Sequence, residues 1–346
     1  MWNMKNYLFL ITIALSLNLC SCEKDKLTED KTPKFQPIEF VKIGGIDQVI
    51  SVKGNDLSKP VLLILHGGPG YAMLPLFHMK LSELENHFII VNWDQRGAGR
   101  SYSDDIDVSS MTLNQSISDA HELTIKLKNK FNKDKIYLLG HSWGTVLGIE
   151  LIKDYPQDYS AYIGVGQVVN VIKNEQHSYA FALNQATTHN NSFGINELVS
   201  VGAPNNDGEY LNDKGYEITN KWMEFYGGSI FGQTSSDEVT DLILSDDIYA
   251  DYKDQWSKGV NFSQQLFDDP NVWSFDFSRT HLDLSLPVYF FMGNHDYDTP
   301  FTLVEQYYNT LKAPRKQLVW FENSAHFPFY EERGKFISEL IKLSDL

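Results

Sequence analysis

Cysteine is nearly absent from this sequence. Of its 346 residues only two are cysteines, Cys20 and Cys22, and both lie close to the N-terminus. The chain beyond them can form no disulfide, and it offers no thiolate nucleophile and no cysteine-based metal site. A disulfide-stabilised domain and a cysteine-dependent enzyme are therefore excluded.

Positive charge is scarce as well. Lysine and arginine together number 29 against 45 aspartates and glutamates, so the formal net charge is −16 at pH 7. A surface this acidic repels polyanions, which argues against nucleic acid and anionic lipid surfaces as partners. The sequence shows no internal repeat and no low-complexity tract, and its 42% hydrophobic content is ample for a sizeable core. We expect one large domain, or one domain with an insertion.

An apolar run long enough to cross a membrane is missing from the N-terminal region. Residues 7–19 carry no charge, but thirteen residues are too few for a membrane-spanning helix and are typical of the central part of a secretory signal. A buried core helix fits poorly, because a polar and charged run follows at once. The run therefore predicts export.

The sequence Leu-Cys-Ser-Cys at residues 19–22 resembles the lipobox of bacterial lipoproteins. A small residue precedes Cys22, whereas a bulky leucine precedes the alternative, Cys20. The resemblance implies a signal peptide at residues 1–21, acylation of the Cys22 thiol and a lipid anchor in the bacterial cell envelope, with the protein facing the periplasm or the exterior. Residues 22–38, which are charged and contain prolines, are then a tether.

Short apolar segments alternate with helical ones from about residue 40. Helices are predicted at residues 112–132 and 143–155, where apolar side chains recur at helical spacing. Strands are predicted at residues 48–54, 60–67, 87–94, 135–141 and 159–167. This alternation indicates βαβ units, and hence an α/β fold with a mostly parallel central sheet flanked by helices.

The alternation stops near residue 168 and resumes near residue 285. In between, helical patches rich in aromatic residues occur without a clear run of buried strands. Strands are then predicted at residues 286–294 and 317–324, followed by an amphipathic helix. We therefore expect an α/β core formed by residues 39–168 and 285–346, into which residues 169–284 are inserted as a helical cap.

A serine, Ser142, stands between two glycines in the segment Gly-His-Ser-Trp-Gly. It follows a predicted strand and opens a predicted helix, which is a known setting for an activated nucleophile. The alternative is a serine that only caps the helix. A serine nucleophile also needs a base, a carboxylate that orients the base, and N–H donors for the oxyanion.

Candidates for the base and the acid follow from chain order. In one known arrangement the nucleophile, the acid and the base follow one another along the chain, each after a strand. Of the ten histidines, His326 alone comes just after the final predicted strand, and it is the candidate base. Asp296 and Asp298 follow the preceding strand, and Asp296 is the candidate acid because it lies nearer the strand end. Asp298 is interpreted as a turn or capping residue before a helix that starts near Pro300.

The oxyanion donors are predicted to be backbone N–H groups. One belongs to Trp143, the residue after the candidate nucleophile. The other comes from the loop His-Gly-Gly-Pro-Gly at residues 66–70, in which Gly68 is the candidate because glycine lets the backbone approach a substrate carbonyl closely. The alternative for this loop is a plain Gly-Pro turn.

Five segments together resemble the prolyl aminopeptidase, or proline iminopeptidase, branch of the α/β-hydrolases. They are LHGGPG (65–70), NWDQRGAGRS (92–101), GHSWGT (140–145), GNHDYDTP (293–300) and SAHFPF (324–329). The resemblance covers about residues 42–170 and 285–346, and the pairing of the first two segments is its most specific part. It implies an α/β-hydrolase fold with a helical cap over the site.

The resemblance also implies roles for individual residues. Ser142, Asp296 and His326 would form a catalytic triad, with an oxyanion hole from Gly68 and Trp143. No metal and no organic cofactor is implied. The Asp-Gln-Arg of the second segment is implied to be structural, bonding neighbouring loops.

The cap departs from the resemblance. Aminopeptidases of this family use cap glutamates to bind the free α-amino group of the substrate, because a buried ammonium needs a carboxylate partner. The cap of this chain does not match the best-known enzymes clearly. Glu175 is the first candidate for that role and Glu224 the second. For each, the alternative is a glutamate on a solvated helix face.

The predicted function is that of a serine hydrolase, an aminopeptidase that releases N-terminal residues, of proline type, from short peptides through an acyl-enzyme. An esterase or amidase of small non-peptide substrates with the same triad is the alternative. A lipoprotein that only binds a ligand is a third hypothesis, although every residue type that catalysis requires is present. A dehalogenase or epoxide hydrolase is disfavoured, because those enzymes need an aspartate where this chain has Ser142.

Overall fold

A sheet of eight strands runs through residues 38–344, the part of the chain that the structure, a computed structural model, describes. The predicted signal peptide, Cys22 and all of the predicted tether except its last residue lie outside the described residues. Within them, no helix is both long enough and apolar enough to span a membrane.

The strands confirm the predicted mostly parallel sheet. In chain order they are β1 (Glu39–Ile43), β2 (Ile46–Lys53), β3 (Val61–Leu65), β4 (Ile89–Asp94), β5 (Ile136–His141), β6 (Tyr159–Val165), β7 (Val288–Gly293) and β8 (Lys316–Phe321). They lie side by side in the order β1-β2-β4-β3-β5-β6-β7-β8. β2 is antiparallel to both of its neighbours, and every other pairing is parallel. β1 was not predicted as a strand, because it lies at the sheet edge and is only partly buried, so it lacks a continuous apolar run.

Thirteen α-helices accompany the sheet in the described residues. They are α1 (Leu74–Leu81), α2 (Leu113–Phe131), α3 (Trp143–Asp154), α4 (Val171–Thr188), α5 (Ser192–Val201), α6 (Gly215–Phe225), α7 (Asp237–Ser245), α8 (Lys253–Ser263), α9 (Pro270–Ser274), α10 (Phe277–Thr280), α11 (Phe301–Thr310), α12 (Pro328–Glu331) and α13 (Arg333–Ile341). The two long helices predicted between the first strands, α2 and α3, are present with nearly the predicted bounds.

The two faces of the sheet carry separate apolar cores, as β3 illustrates. Val61, Leu63 and Leu65 point to the face covered by α2, α3 and α11, whereas Leu62 and Ile64 point to the face covered by α1 and α13. Successive side chains of a strand point to opposite faces, and a parallel strand covered by helices on both sides is therefore nearly continuously apolar. The unbroken apolar run of β3 in the sequence has this origin.

Helices α4 to α10 all lie between β6 and β7 in the chain. The first begins at Val171 because the side chain of Asn170 caps it, accepting the backbone N–H of Lys173 at 2.8 Å. Three of these helices, α4, α5 and α6, share a small apolar core of their own that includes Ala182, Leu198 and Trp222. They occupy the interval for which the sequence predicts a cap, and the cap as a separate domain stays a prediction.

Close packing of α3 on the sheet depends on Gly144. A Cβ added at this position would lie 2.2 Å from the carbonyl oxygen of Leu65 on β3, which is far inside van der Waals contact with backbone that cannot move aside. We expect Gly144→Ala to lower the free energy of unfolding by about 2 kcal/mol, measured by urea denaturation.

The matched control is Gly334→Ala on α13. This exposed glycine has no heavy atom within 4 Å of an added Cβ, so alanine should be neutral or stabilise the helix by up to about 1 kcal/mol. Equal stability changes for the two variants would contradict the packing argument.

Candidate active site

Ser142 is the single residue between the end of β5 and the start of α3. Its backbone has φ 52° and ψ −121°, a conformation that a residue with a side chain rarely adopts. Three hydrogen bonds hold it there, one of them from the Thr145 N–H to the Ser142 carbonyl at 2.8 Å. The Ser142 N–H donates to the carbonyl of Val165 at 3.0 Å, and the Ser142 carbonyl accepts the Thr145 hydroxyl at 2.6 Å. A strained residue maintained by its surroundings is typical of a functional position.

The candidate acid and base are in direct contact. Nδ1 of His326, on the loop after β8, lies 3.0 Å from Oδ2 of Asp296, on the loop after β7. Asp296 is fully buried and also accepts the backbone N–H and the hydroxyl of Thr299, each at 2.8 Å. Because a carboxylate only accepts hydrogen bonds, these contacts fix its orientation and keep the donated proton on Nδ1 of the ring.

The electrostatic surroundings favour the protonated ring of His326. Burial lowers the pKa of His326, but the charges of Asp298 and Asp296, the hydrogen bond with Asp296 and the charge of Glu331 together outweigh burial and raise the pKa to about 9. The ring is thus stabilised as an imidazolium at neutral pH in the empty site.

The loop that carries His326 is held from two sides. The His326 N–H donates to the carbonyl of Ser229, which belongs to the segment between α6 and α7, at 2.9 Å. The carboxylate of Glu331 accepts the N–H groups of Ala325 and Phe327, the two neighbours of His326, at distances of 3.0 to 3.1 Å. It also accepts the N–H of Phe231 at 2.7 Å. One carboxylate therefore joins the histidine loop to the helical insertion.

The structure brings Ser142 and His326 to the same edge of the sheet without a hydrogen bond between their side chains. The Nε2 atom of His141, the residue before Ser142, lies 3.0 Å from the carbonyl oxygen of His326, and the two rings lie 4.7 Å apart. Among the described residues the Ser142 hydroxyl has no hydrogen-bond partner. Serine–histidine hydrogen bonds are often long in empty sites and shorten when substrate binds.

Gly68 and Trp143, the predicted oxyanion donors, line the same cavity as Ser142. Gly68 has φ +112°, which a side chain would not tolerate. Neither backbone N–H takes part in a hydrogen bond within residues 38–344. Two free donors beside the serine hydroxyl could bind an anionic oxygen there.

The cavity has a volume of about 250 Å³ and lies between the loops of the sheet and the helical insertion. Its wall on the sheet side includes Ser142 and Thr299. Its wall on the insertion side is largely apolar and aromatic and includes Val171, Phe267 and Trp273. A mostly apolar cavity with a few polar groups is typical of a small-molecule site.

Glu175, on α4, is one of two carboxylates in the cavity wall. It is only 9% exposed, and its Oε2 atom accepts the Tyr210 hydroxyl at 2.9 Å. Burial raises the pKa of Glu175 to about 7, the Tyr210 hydrogen bond opposes this rise, and the charge of Asp298 adds to it. The alternative of a glutamate on a solvated helix face is therefore wrong for Glu175.

Asp298 is the second carboxylate of the wall, a place that was not predicted from the sequence. Its Oδ2 atom lies 3.8 Å from Nε2 of His326. Burial raises the pKa of Asp298, the charge of His326 lowers it, and the charge of Asp296 raises it further. The one available signal was its position, two residues after Asp296 at the carboxyl end of a parallel strand, where ligands of α/β sheets bind.

Glu224, on α6, does not belong to the cavity wall. Its Oε1 atom accepts the hydroxyl of Ser236 at 3.1 Å. Burial and the charge of Asp298 raise the pKa of Glu224, so it lies within electrostatic reach of the cavity. The structure thus brings Glu175, but not Glu224, into the cavity with Ser142.

The other polar residues of the motifs make structural contacts. Arg96 forms a buried ion pair with Asp119 at 2.8 Å. Asp94 accepts the Tyr249 hydroxyl at 2.5 Å and the N–H of Arg100 at 2.9 Å. Burial lowers the pKa of His66 to about 4. Among the described residues, no cluster of three or more His, Cys, Asp or Glu side chains could hold a metal ion.

We expect Glu331→Gln to destabilise the protein. Glutamine keeps the size of the side chain but removes its charge. It also replaces one of the two acceptor oxygens by an NH₂ group, which cannot accept a hydrogen bond from a backbone N–H. Hydrogen bonds to charged groups contribute about 1.5 to 3 kcal/mol, so the free energy of unfolding should fall by about 2 kcal/mol in urea denaturation. Glu217→Gln, at an exposed position on α6, is the control and should stay within about 0.5 kcal/mol of the wild type. A loss no larger than in this control would rule out the bracing role of Glu331.

Comparisons with known proteins identify the family of this chain. The family model described as alpha/beta hydrolase fold matches residues 60–333. The Probable aminopeptidase YbaC of Bacillus subtilis is 33% identical over 315 residues, which cover 89% of this chain and 97% of that relative. The proline iminopeptidase of Saccharolobus solfataricus is 26% identical over 317 residues, which cover 88% of this chain and 90% of that relative.

Solved structures show the same fold. The esterase RhEst1 from Rhodococcus sp. ECU1013 has a TM-score of 0.61 at 16% identity, covering 90% of this chain and 99% of that one. At this identity the likeness concerns the fold alone. The family match over most of the chain and the parallel sheet with its serine-bearing turn agree, and the chain belongs to the α/β-hydrolase fold family.

Proposed function

We propose that this hydrolase acts through a serine mechanism with Ser142 as the nucleophile. His326 takes the hydroxyl proton through Nε2, and Asp296 holds the ring through Nδ1 and stabilises the imidazolium that forms. The Asp296–His326 contact at 3.0 Å and the position of Ser142 on a strained turn at the same sheet edge support this assignment.

The reaction proceeds in two steps. As the Ser142 oxygen attacks the substrate carbonyl, the N–H groups of Gly68 and Trp143 bind the developing oxyanion. His326 then returns the proton to the leaving amine, and an acyl-enzyme remains on Ser142. Water attacks the acyl-enzyme with the same histidine as base. These steps use no metal and no organic cofactor.

The proposed substrate is the N-terminal residue of a short peptide, of proline type. The observation that carries this proposal is the buried carboxyl group of Glu175 in the same cavity as Ser142. A carboxylate at such a position would pair with the α-ammonium of the substrate, which could not enter an apolar cavity unpaired. The names of the Bacillus and Saccharolobus relatives point the same way.

An esterase or amidase of small non-peptide substrates is the second candidate. Burial raises the pKa of Glu175 to about 7, so a large fraction of this group is an uncharged acid at neutral pH. An uncharged carboxylic acid can donate a hydrogen bond to a neutral ester or amide. The apolar remainder of the cavity wall would accept such a substrate.

Replacing Ser142 by alanine should abolish labelling by a fluorophosphonate probe, because the probe reacts with an activated serine hydroxyl. Labelling is read by in-gel fluorescence. Ser200→Ala, at an exposed position on α5, is the control and should label like the wild type. Undiminished labelling of Ser142→Ala would exclude Ser142 as the nucleophile.

The role of Glu175 predicts a preference for a free amine. Glu175→Gln should lower kcat/KM for L-proline p-nitroanilide about a hundredfold, since an ammonium would lose a buried charged partner worth about 3 kcal/mol. It should leave fluorophosphonate labelling intact. The control Glu217→Gln should change neither kcat/KM for the anilide nor the labelling.

The pH dependence has a defined sign. Because Glu175 must be ionised to bind an ammonium, KM for the anilide should fall as the pH rises through about 7. Equal turnover of the anilide and its N-acetylated form would contradict the aminopeptidase proposal and favour the second candidate.

A further inference from the structure

His326 lies between two carboxylates, one at each ring nitrogen. Nδ1 lies 3.0 Å from Asp296, as a triad histidine requires, and Nε2 lies 3.8 Å from Asp298. Nε2 is the atom that must accept the proton of Ser142 in the proposed mechanism. In the empty site this atom therefore faces a negative charge.

The side-chain environments of the two carboxylates differ. Asp296 is completely buried and has its hydrogen bonds satisfied by neighbours, whereas the Asp298 side chain is 37% exposed and forms part of the cavity wall. A ligand entering the cavity can thus reach Asp298 but not Asp296.

Charged and titratable groups face this pair from every neighbouring element. Glu331 of α12 and His141 of β5 lie beside His326, and Glu175 of α4 together with Glu224 and Tyr216 of α6 act electrostatically on Asp298. Burial raises the pKa of Tyr216 above its usual value and holds the pKa of His141 well below its usual value, so both rings are neutral and the other groups are acidic. The described groups around His326 thus leave a surplus of negative charge that a cation would relieve.

We propose that Asp298 is a specificity-determining residue that makes hydrolysis depend on a cationic substrate. In the empty cavity its carboxylate keeps a proton on Nε2 of His326. When a substrate ammonium pairs with Asp298, that stabilisation is lost, Nε2 releases its proton to solvent, and the neutral ring becomes the base for Ser142. This inference rests on the proposed serine aminopeptidase function.

The energetic direction agrees with this geometry. Burial alone would lower the pKa of His326, yet the nearby carboxylates, with Asp298 contributing most, raise it to about 9. At neutral pH, below this value, the empty enzyme holds mainly imidazolium, which cannot accept a proton. Neutralising Asp298 removes the largest favourable charge contribution, so the pKa of His326 falls.

The test compares Asp298→Asn with the wild type on p-nitrophenyl acetate, which has no ammonium, and L-proline p-nitroanilide, which has one. The acidic limb of the pH profile of kcat/KM for the ester reports the base of the free enzyme. We expect this limb to move about one unit to lower pH in the variant, which raises kcat/KM for the ester about tenfold at pH 7. For the anilide, kcat/KM should fall at least about tenfold, because the ammonium loses a partner.

Glu305→Gln is the matched control. Glu305 is an exposed glutamate on α11, so its replacement removes one negative charge without touching the cavity. The pH profiles of kcat/KM for the ester and for the anilide should be the same in this variant as in the wild type. If Glu305→Gln moves the acidic limb of the ester pH profile as far as Asp298→Asn does, the net charge of the protein, and not the contact of Asp298 with Nε2, determines the pKa of His326. This result would overturn the inference.

The outcomes separate this inference from the proposed function. Suppose that Ser142→Ala abolishes ester hydrolysis but Asp298→Asn leaves the pH profile for the ester unchanged. This result overturns the role of Asp298 and leaves the serine mechanism intact. If the wild type hydrolyses the ester but never the anilide, the aminopeptidase proposal fails, and an ammonium as the activating group fails with it.

A second measurement does not require the asparagine variant to fold. In Ser142→Ala, NMR chemical shifts of the His326 ring are followed as a function of pH, with and without L-prolinamide. The pKa of His326 should fall by about one unit when the amide is bound. An unchanged pKa in the presence of bound prolinamide would overturn the inference.

Discussion

The parallel pairing of β4, β3, β5, β6, β7 and β8 is the constraint on which the candidate active site depends. Parallel strands end at the same edge of a sheet, so the loops that follow them converge even when they are far apart in the chain. The loop after β3 carries Gly68, the turn after β5 carries Ser142, and the loops after β7 and β8 carry Asp296 and His326. Covering helices on both faces make this pairing stable, because they bury most residues of these strands.

Burial gives the site its electrostatic character. Asp296 and His326 are almost inaccessible to solvent, and Glu175 is nearly so, so their charges interact strongly with one another. Each carboxylate that is withdrawn from water must be compensated by a hydrogen bond or an opposite charge. Asp296 is compensated by Thr299 and His326, whereas within residues 38–344 the Glu175 carboxylate has the Tyr210 hydroxyl as its one hydrogen-bond donor. In the proposed function, the substrate ammonium would supply the charge that Glu175 lacks.

The sequence predicted the periodic parts of the fold well. The predicted strands in the region from β2 to β8 and the helices α2 and α3 appear close to their predicted positions, because buried parallel strands are apolar without interruption and amphipathic helices repeat their pattern. It missed β1, an edge strand without such a run. It also missed the bracing of the histidine loop by Glu331, since the acceptor role of that carboxylate depends on Phe231, which lies 100 residues away in the chain.

The sequence by itself determined the chain order of the candidate nucleophile, acid and base. It also determined the glycines that allow the tight turn around Ser142. Both features depend only on residue type and on position relative to the strands. Only the tertiary structure decided which carboxylates face the cavity. Asp298 has the sequence position of a turn residue, and Glu175 and Glu224 cannot be distinguished by their local patterns. The direction of a side chain follows from how the insertion packs against the sheet, and that packing is a sum of distant contacts that no local pattern encodes.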